Sequence, residues 1–145
     1  MPMRIVAVIG AGIAGAPLRR QAEEVGRRLA HAGVVVLTGG RGGVMEAASR
    51  GAKKAGGLVV ALVPEGRANP YVDIVIPTHM GDARNVLIAN TAGAFVAIGG
   101  AYGTLSEIAF ALKRRKRVVG LGSWRIPGMI SAKTPAEAVR KALTG

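Results

Sequence analysis

A glycine-rich run that ends in a threonine and a glutamate is the part of this sequence that most directly suggests chemistry. It reads IGGAYGTLSE, from Ile98 to Glu107. Glycines let backbone N–H groups approach a phosphate, and the helix predicted to follow adds the positive end of its dipole. Thr104 can add a hydroxyl, and Glu107 a carboxylate that could transfer protons or stabilise positive charge. The same pair also fits a capping box at a helix start, so the local sequence leaves both interpretations open.

The alternation of strands and helices along the chain predicts the scaffold that positions these residues. Short β-branched runs alternate with helical stretches, which is typical of crossover units and a parallel sheet. We therefore predict an α/β fold in which residues 1–145 form a single Rossmann-like domain, a parallel sheet with helices on both faces. The predicted strands are Arg4–Ile9, Val34–Thr38, Leu58–Val63, Asp73–Ile76, Ala94–Ile98 and Val118–Leu121. The predicted helices are Pro17–Ala32, Gly43–Ala55, Asp82–Ala92, Thr104–Arg115 and Pro135–Leu143.

Three glycine-rich loops follow predicted strands. They are Gly10–Gly12, Thr38–Gly43 and Ile98–Thr104. Since ligands of such sheets bind beyond the carboxyl ends of the strands, the three loops are expected to converge on one site. We predict an anion site in which the backbone of residues 100–104 faces the turn at residues 39–43.

The first loop matches the dinucleotide fingerprint G-x-G-x-x-G, but its surroundings argue against NAD(P). That fingerprint needs an acidic residue at the end of the second strand to hold a ribose. This chain has Thr38 followed by two glycines there. Pro17 would also fall inside a helix that began near Gly12, where its ring would clash with a preceding carbonyl. We therefore predict that the helix begins at Pro17 and that the anion site lies elsewhere.

Two longer segments carry a family resemblance. GDARNVLIANTAGAFVAIGGAYGTLSE resembles the LOG family of nucleotide phosphoribohydrolases, with Arg84 and Glu107 where that family has its arginine and glutamate. TGGRGGVMEAASRGA is similar to the glycine turn that follows the family's second strand. The resemblance spans roughly Arg4 to Leu121 and implies cleavage of the N-glycosidic bond of nucleoside 5′-monophosphates.

The resemblance also implies which residues form the site. Arg84 and Glu107 would be the catalytic residues, with Arg84 holding phosphate or ribose and Glu107 stabilising the oxocarbenium-like charge or activating water. The expected nucleotide- or phosphate-binding residues are Gly10, Gly39, Gly40, Gly43, Asn85, Gly99, Gly100, Ala101, Tyr102, Gly103 and Thr104. Taken alone, Arg84 could instead be a surface cation at a helix start, although the helix dipole disfavours a cation there.

Departures from the LOG motif keep three functions open. The family's P-G-G is Gly99-Gly100-Ala101 here, and its lysine after the arginine is Asn85. These features are closer to the branch that includes molybdenum-cofactor carrier proteins, which binds rather than hydrolyses. A carrier would need no cofactor for its own chemistry, but it would take a molybdopterin-type ligand. DNA-processing proteins of the DprA type share a related fold, so a nucleic-acid module is the third alternative.

The amino-acid composition limits the classes of ligand and partner that the protein is expected to bind. The formal net charge is +12, from 20 Lys and Arg against 8 Asp and Glu, which favours phosphorylated ligands or nucleic acid. The densest basic cluster, residues 113–117, lacks interleaved aromatic residues and is best explained as a solvated helix end. There are no cysteines, and the two histidines are isolated, so we expect a cytoplasmic protein without a metal site. No apolar run could cross a bilayer, and the resemblance implies a homo-oligomer.

Overall fold

A seven-stranded, entirely parallel sheet forms the centre of the protein, as seen in a computed structural model that describes residues 3–144. The strands are β1 (Ile5–Gly10), β2 (Val35–Thr38), β3 (Val59–Val63), β4 (Ile74–Pro77), β5 (Ala94–Ile98), β6 (Arg117–Leu121) and β7 (Ile130–Ala132). The helices are α1 (Ala16–His31), α2 (Val44–Lys54), α3 (Arg84–Thr91), α4 (Tyr102–Lys113) and α5 (Pro135–Leu143), with a 3₁₀ turn at Gly81–Ala83. This confirms the predicted Rossmann-like α/β fold.

The helices cover both faces of the sheet and bury two hydrophobic layers. One layer contains the apolar faces of α1, α2 and α5, and the other contains those of α3 and α4. β1 and β5 alternate between the layers, with Val6 and Val8 in the first and Ala7 and Ile9 in the second. That alternation follows from the two-residue period of a strand buried on both sides.

The strand order places a crevice at the middle of one sheet edge. The order is β4-β3-β2-β1-β5-β6-β7, so the chain builds outward from β1 to β4 and then returns to add β5 on the other side of β1. β1 and β5 pair in parallel from Val6 opposite Ala94 to Gly10 opposite Ile98. The loops that leave these two strands run in opposite directions, which opens a ligand crevice at the switch point.

Two helix starts agree with the sequence patterns. α1 begins at Ala16 with Pro17 in its first turn, rather than near Gly12. Thr134 caps α5 by accepting a hydrogen bond from the backbone N–H of Glu137 (3.1 Å). The shape of the first loop therefore differs from that of the dinucleotide fingerprint, in which the helix starts at the second glycine.

The start of α4 and one strand differ from the prediction. α4 begins at Tyr102 with Ala101 as its N-cap, and no side chain caps it. Thr104 is consequently the third helical residue, so the capping-box interpretation is wrong and Glu107 is free of that role. The sequence also gave no signal for β7, because its three residues follow a loop containing Pro127 and Gly128.

Candidate functional site

The crevice at the switch point contains a cleft of about 600 Å³, here called the central cleft. A volume of this size is typical of small-molecule sites. Its walls come from the loop after β1, the loop after β2, the start of α3 and the start of α4. The lining residues are Gly10, Ala11, Gly12, Ile13, Arg41, Met45, Asp82, Arg84, Asn85, Gly100, Ala101, Gly103, Thr104 and Glu107.

Arg84 is the buried cation of the central cleft. It is the first residue of α3, and only 8% of its surface is exposed, which rules out a surface cation. The guanidinium lies against Gly39, where an added Cβ atom would lie 2.7 Å from Nη1 of Arg84. Its Nε atom is buried and has no hydrogen-bond partner among residues 3–144. A buried, unpaired guanidinium N–H is costly, so this nitrogen is suited to an acceptor brought by a ligand.

Glu107 faces the same cleft from the second turn of α4. It is 9% exposed, and burial raises the pKa of its carboxyl to about 7, although the nearby positive charge of Arg84 acts in the opposite direction. Burial also lowers the pKa of Arg84, partly offset by the charge of Glu107. Among residues 3–144 the two side chains form no direct ion pair. The cleft therefore presents a cation and a titrating carboxyl that are electrostatically coupled but separate.

The glycine loop before α4 brings backbone donors to the cleft. Gly100 has φ +101°, a left-handed conformation that favours glycine, and a Cβ atom there would collide with the Thr104 hydroxyl. The first N–H groups of any helix lack internal partners, and Gly103 and Thr104 in the first turn of α4 line the cleft. This arrangement is the usual one for a phosphate at a helix N-terminus.

Asn85 connects the two helices that carry Arg84 and Glu107. Its Nδ2 donates to the hydroxyl of Ser106 (3.1 Å), and that hydroxyl donates to the Gly103 carbonyl (2.7 Å). The amide thereby fixes the start of α3 against the first turn of α4. Asn85 also lines the cleft, and one of the two N–H donors of its amide is used in this bond to Ser106.

Most of the expected site residues meet in the central cleft, and five do not line it. Tyr102 is 80% exposed and packs its ring near Trp124, with centroids 6.1 Å apart. The four glycines have packing contacts instead: in the order Gly39, Gly40, Gly43 and Gly99, the nearest atoms to an added Cβ belong to Arg84, Val63, Ala11 and Leu18. Gly43 instead lines a neighbouring cleft between α1 and α2. Contact of these five residues with a ligand stays a prediction.

Several lining residues were not predicted. Ile13, Arg41 and Met45 line the cleft. The apolar side chains of Ile13 and Met45 gave no indication of ligand contact. Asp82 also lines the cleft and does not cap α3, whose N-cap is Ala83 without a side-chain bond. The presence of Arg41 beside Arg84 could have been anticipated from its place in the second glycine loop.

Neither a metal cluster nor a membrane helix is found in the described part of the chain. Within residues 3–144, no three metal-ligating side chains lie close enough together to hold an ion. None of the helices in this range is both long and apolar enough to cross a membrane.

Comparison with solved structures places this architecture among known proteins. The molybdenum cofactor binding protein from the phototrophic bacterium Rippkaea orientalis superposes with a TM-score of 0.90 at 35% identity, covering 97% of this chain and 95% of that one. The molybdenum cofactor carrier protein from Chlamydomonas reinhardtii has a TM-score of 0.88 at 34% identity, covering 96% and 95%. DNA processing protein A from Streptococcus pneumoniae shares the fold, with a TM-score of 0.79 at 17% identity, covering 99% of this chain and 63% of that one.

Sequence comparison gives the family. A protein of Archaeoglobus fulgidus is 48% identical over 142 residues, which are 96% of this chain and 94% of that protein. The predicted resemblance to the LOG-like superfamily, near its molybdenum-cofactor carrier branch, is confirmed. The profile of the SLOG cluster4 family matches residues 3–143, and the chain belongs to that family.

Proposed function

We propose that the central cleft binds a phosphate-bearing nucleotide or nucleotide-derived cofactor. The observation that carries this proposal is the buried Nε of Arg84, which lacks a partner among residues 3–144. A phosphate at the first turn of α4 would accept hydrogen bonds from backbone N–H groups and from the guanidinium. Such charge-assisted bonds are the strong ones, and they would offset the cost of burying Arg84.

A molybdopterin-type cargo is the ligand that the relatives favour. Two structures at 34–35% identity are described as a molybdenum cofactor binding protein and a molybdenum cofactor carrier protein. The cleft fits the phosphate of such a group through the unpaired Arg84 Nε and the glycine cradle at residues 100–104. In this function the protein binds the cargo and shields it from solvent. Glu107 does no chemistry, and its protonation state changes the net charge of the cleft.

Hydrolysis of a nucleoside 5′-monophosphate is the second candidate, favoured by Glu107. The reaction would break the C1′–N bond of the nucleotide while a water oxygen bonds to C1′, and the water's proton would pass through Glu107 to the departing base. A carboxylate beside C1′ would stabilise the positive charge that develops there. With a pKa of about 7, Glu107 is partly ionised near neutrality and could both accept and return the proton.

The first prediction separates carriage from hydrolysis through Glu107→Gln, which keeps the shape of the side chain and removes its charge. For a hydrolase, release of free base from a panel of nucleoside monophosphates falls by about a hundredfold or more, while binding is retained. For a carrier, base release from both proteins is negligible, and both bind the ligand. Chromatographic assay of free base, paired with calorimetric titration, measures both properties.

Two further variants control this experiment. Glu137→Gln removes a carboxylate on α5, outside the lining of the central cleft, and is expected to behave like the unaltered protein. Arg84→Ala is expected to weaken ligand binding under either function, because the positive charge of Arg84 binds the ligand phosphate whether or not a reaction follows. Full binding by a folded Arg84→Ala variant would contradict the proposed site.

A further inference from the structure

A second cleft of about 580 Å³ adjoins the central cleft, and the two share the loop residues Gly12 and Ile13. It lies between the N-terminal halves of α1 and α2. Its charged lining residues are Arg19, Arg20, Glu23, Glu46 and Arg50, and we call it the arginine cleft. None of the functions discussed above uses it.

Two of the arginines lack partners for their charge. The carboxylate of Glu23 lies 3.9 Å from Nε of Arg50 and 3.3 Å from Nζ of Lys54, so its charge is already paired. Arg19 and Arg20 are exposed, and neither side chain makes an ion pair or hydrogen bond within residues 3–144. They stand at the fourth and fifth positions of α1, where the helix dipole disfavours cations. An anion in this cleft would compensate both the two charges and the dipole.

The ridge between the two clefts is apolar and uncovered. Ile13 is 96% exposed, although it sits on a loop held between β1 and α1 and lines both clefts. Each cleft alone has a volume typical of a small-ligand site, and a ligand confined to the central cleft would leave the arginine cleft empty. A ligand that crosses the ridge would cover Ile13 and reach Arg19 and Arg20.

We infer that the ligand is of the dinucleotide class, with one phosphate-bearing half in the central cleft at Arg84 and a second anionic half in the arginine cleft. The inference rests on the proposed function, because it extends the ligand bound at Arg84. It assigns Arg19 and Arg20 the role of binding the far half. The unpaired Nε of Arg84 marks the near end, and the unpaired arginines of α1 mark the far end.

Calorimetric titration with paired ligands tests the inference. The probes are the four common nucleoside 5′-monophosphates and the matching symmetrical dinucleoside triphosphates, at about 150 mM salt to screen general attraction. The dinucleotide is expected to bind the unaltered protein about tenfold more tightly than its monophosphate. In Arg19→Gln/Arg20→Gln this advantage disappears, while the monophosphate affinity stays within about twofold.

A charge-matched variant and a polymer probe complete the test. Lys133→Gln/Arg140→Gln also removes two exposed cations, neither of which lines either cleft, and is expected to keep the dinucleotide advantage. Equal binding of mono- and dinucleotide, or the same loss in the control variant, overturns the inference and leaves the proposed function intact. A single-stranded oligonucleotide that outcompetes every dinucleotide also overturns it, in favour of a polymer. If no mono- or dinucleotide binds the unaltered protein, the inference is overturned, and titration with a molybdopterin-type ligand then decides the proposed function.

Discussion

Glu107 makes ligand binding sensitive to pH near neutrality, and this gives the second prediction. Its pKa of about 7 means that the carboxyl is largely neutral below this pH and largely charged above it. A charged carboxylate repels a phosphate held by neighbouring groups, so the protonated form binds the anion better. Relative to that of the Glu107→Gln variant, the dissociation constant of the unaltered protein is therefore expected to rise by about tenfold as the pH increases from roughly 6 to roughly 8.

The matched variant for this prediction is Glu107→Gln, measured by titration at each pH. The phosphate of the ligand also titrates near pH 6, but it does so equally for both proteins, so their difference isolates Glu107. The variant is expected to bind with an affinity close to that of the unaltered protein at low pH and more tightly at high pH. Identical pH profiles would show that the carboxyl does not face the bound anion.

The sequence predicts which residue types could form the site, but it does not predict the direction in which each side chain points. Arg84 and Glu107 could be singled out because their residue types and spacing match a family motif. Ile13 and Met45 could not, because apolar residues in a loop or at a helix start carry no such pattern. Tyr102 stands one residue from lining positions yet points outward, since successive helical residues face different directions.

Lys116 acts on the end of a neighbouring helix and gives the third prediction. Its Nζ donates to the carbonyls of Ala89 (2.7 Å), Asn90 (2.8 Å) and Ala92 (2.6 Å), which are among the last unpaired acceptors of α3. Lys116→Met removes all three bonds and leaves part-buried carbonyls unpaired. The free energy of unfolding is expected to fall by about 1–3 kcal/mol, and Tm by several degrees.

Lys113→Met is the matched control for the α3 cap. Lys113 is exposed in the last turn of α4, and its side chain has no partner within residues 3–144. Its replacement is expected to change the free energy of unfolding by no more than about 0.5 kcal/mol. Thermal and urea unfolding of the three proteins make the comparison, and equal stability of all three would show that Lys116 does not cap α3.

Element boundaries were predictable where one residue has a single strong local preference. Pro17 fixes a helix start because its ring suits the first turn, and Thr134 caps α5 with its own hydroxyl. The start of α4 was misplaced because Thr104 and Glu107 form a good capping pattern, whereas the left-handed turn at Gly100 lets the helix begin at Tyr102. β7 depends on pairing with β6, a long-range contact that three residues do not encode.

At the level of the whole molecule, part of the strong basic charge has a structural use. Within the cluster at residues 113–117, Lys116 caps α3, Arg114 donates to the side chain of Asn90, and Arg117 donates to the carbonyl of Lys141 (3.3 Å). From the sequence, this cluster was interpreted as a solvated helix end. The hydrogen bonds of its side chains additionally connect neighbouring secondary-structure elements. Arg19 and Arg20 of α1, in contrast, have no ion-pair partner among residues 3–144.

Assembly is the fourth prediction and concerns the exposed edge of the sheet. β4 is an edge strand, and its side chains Ile74, Val75 and Ile76 are all exposed. Edge strands offer unpaired backbone groups, and adjacent exposed apolar residues commonly mark a contact surface. The family resemblance also implies a homo-oligomer. We therefore expect a homodimer or larger assembly at micromolar concentration. Light scattering during size-exclusion chromatography measures the mass against the 14.8 kDa of one chain. A species of single-chain mass that persists as the concentration is raised would contradict the expectation.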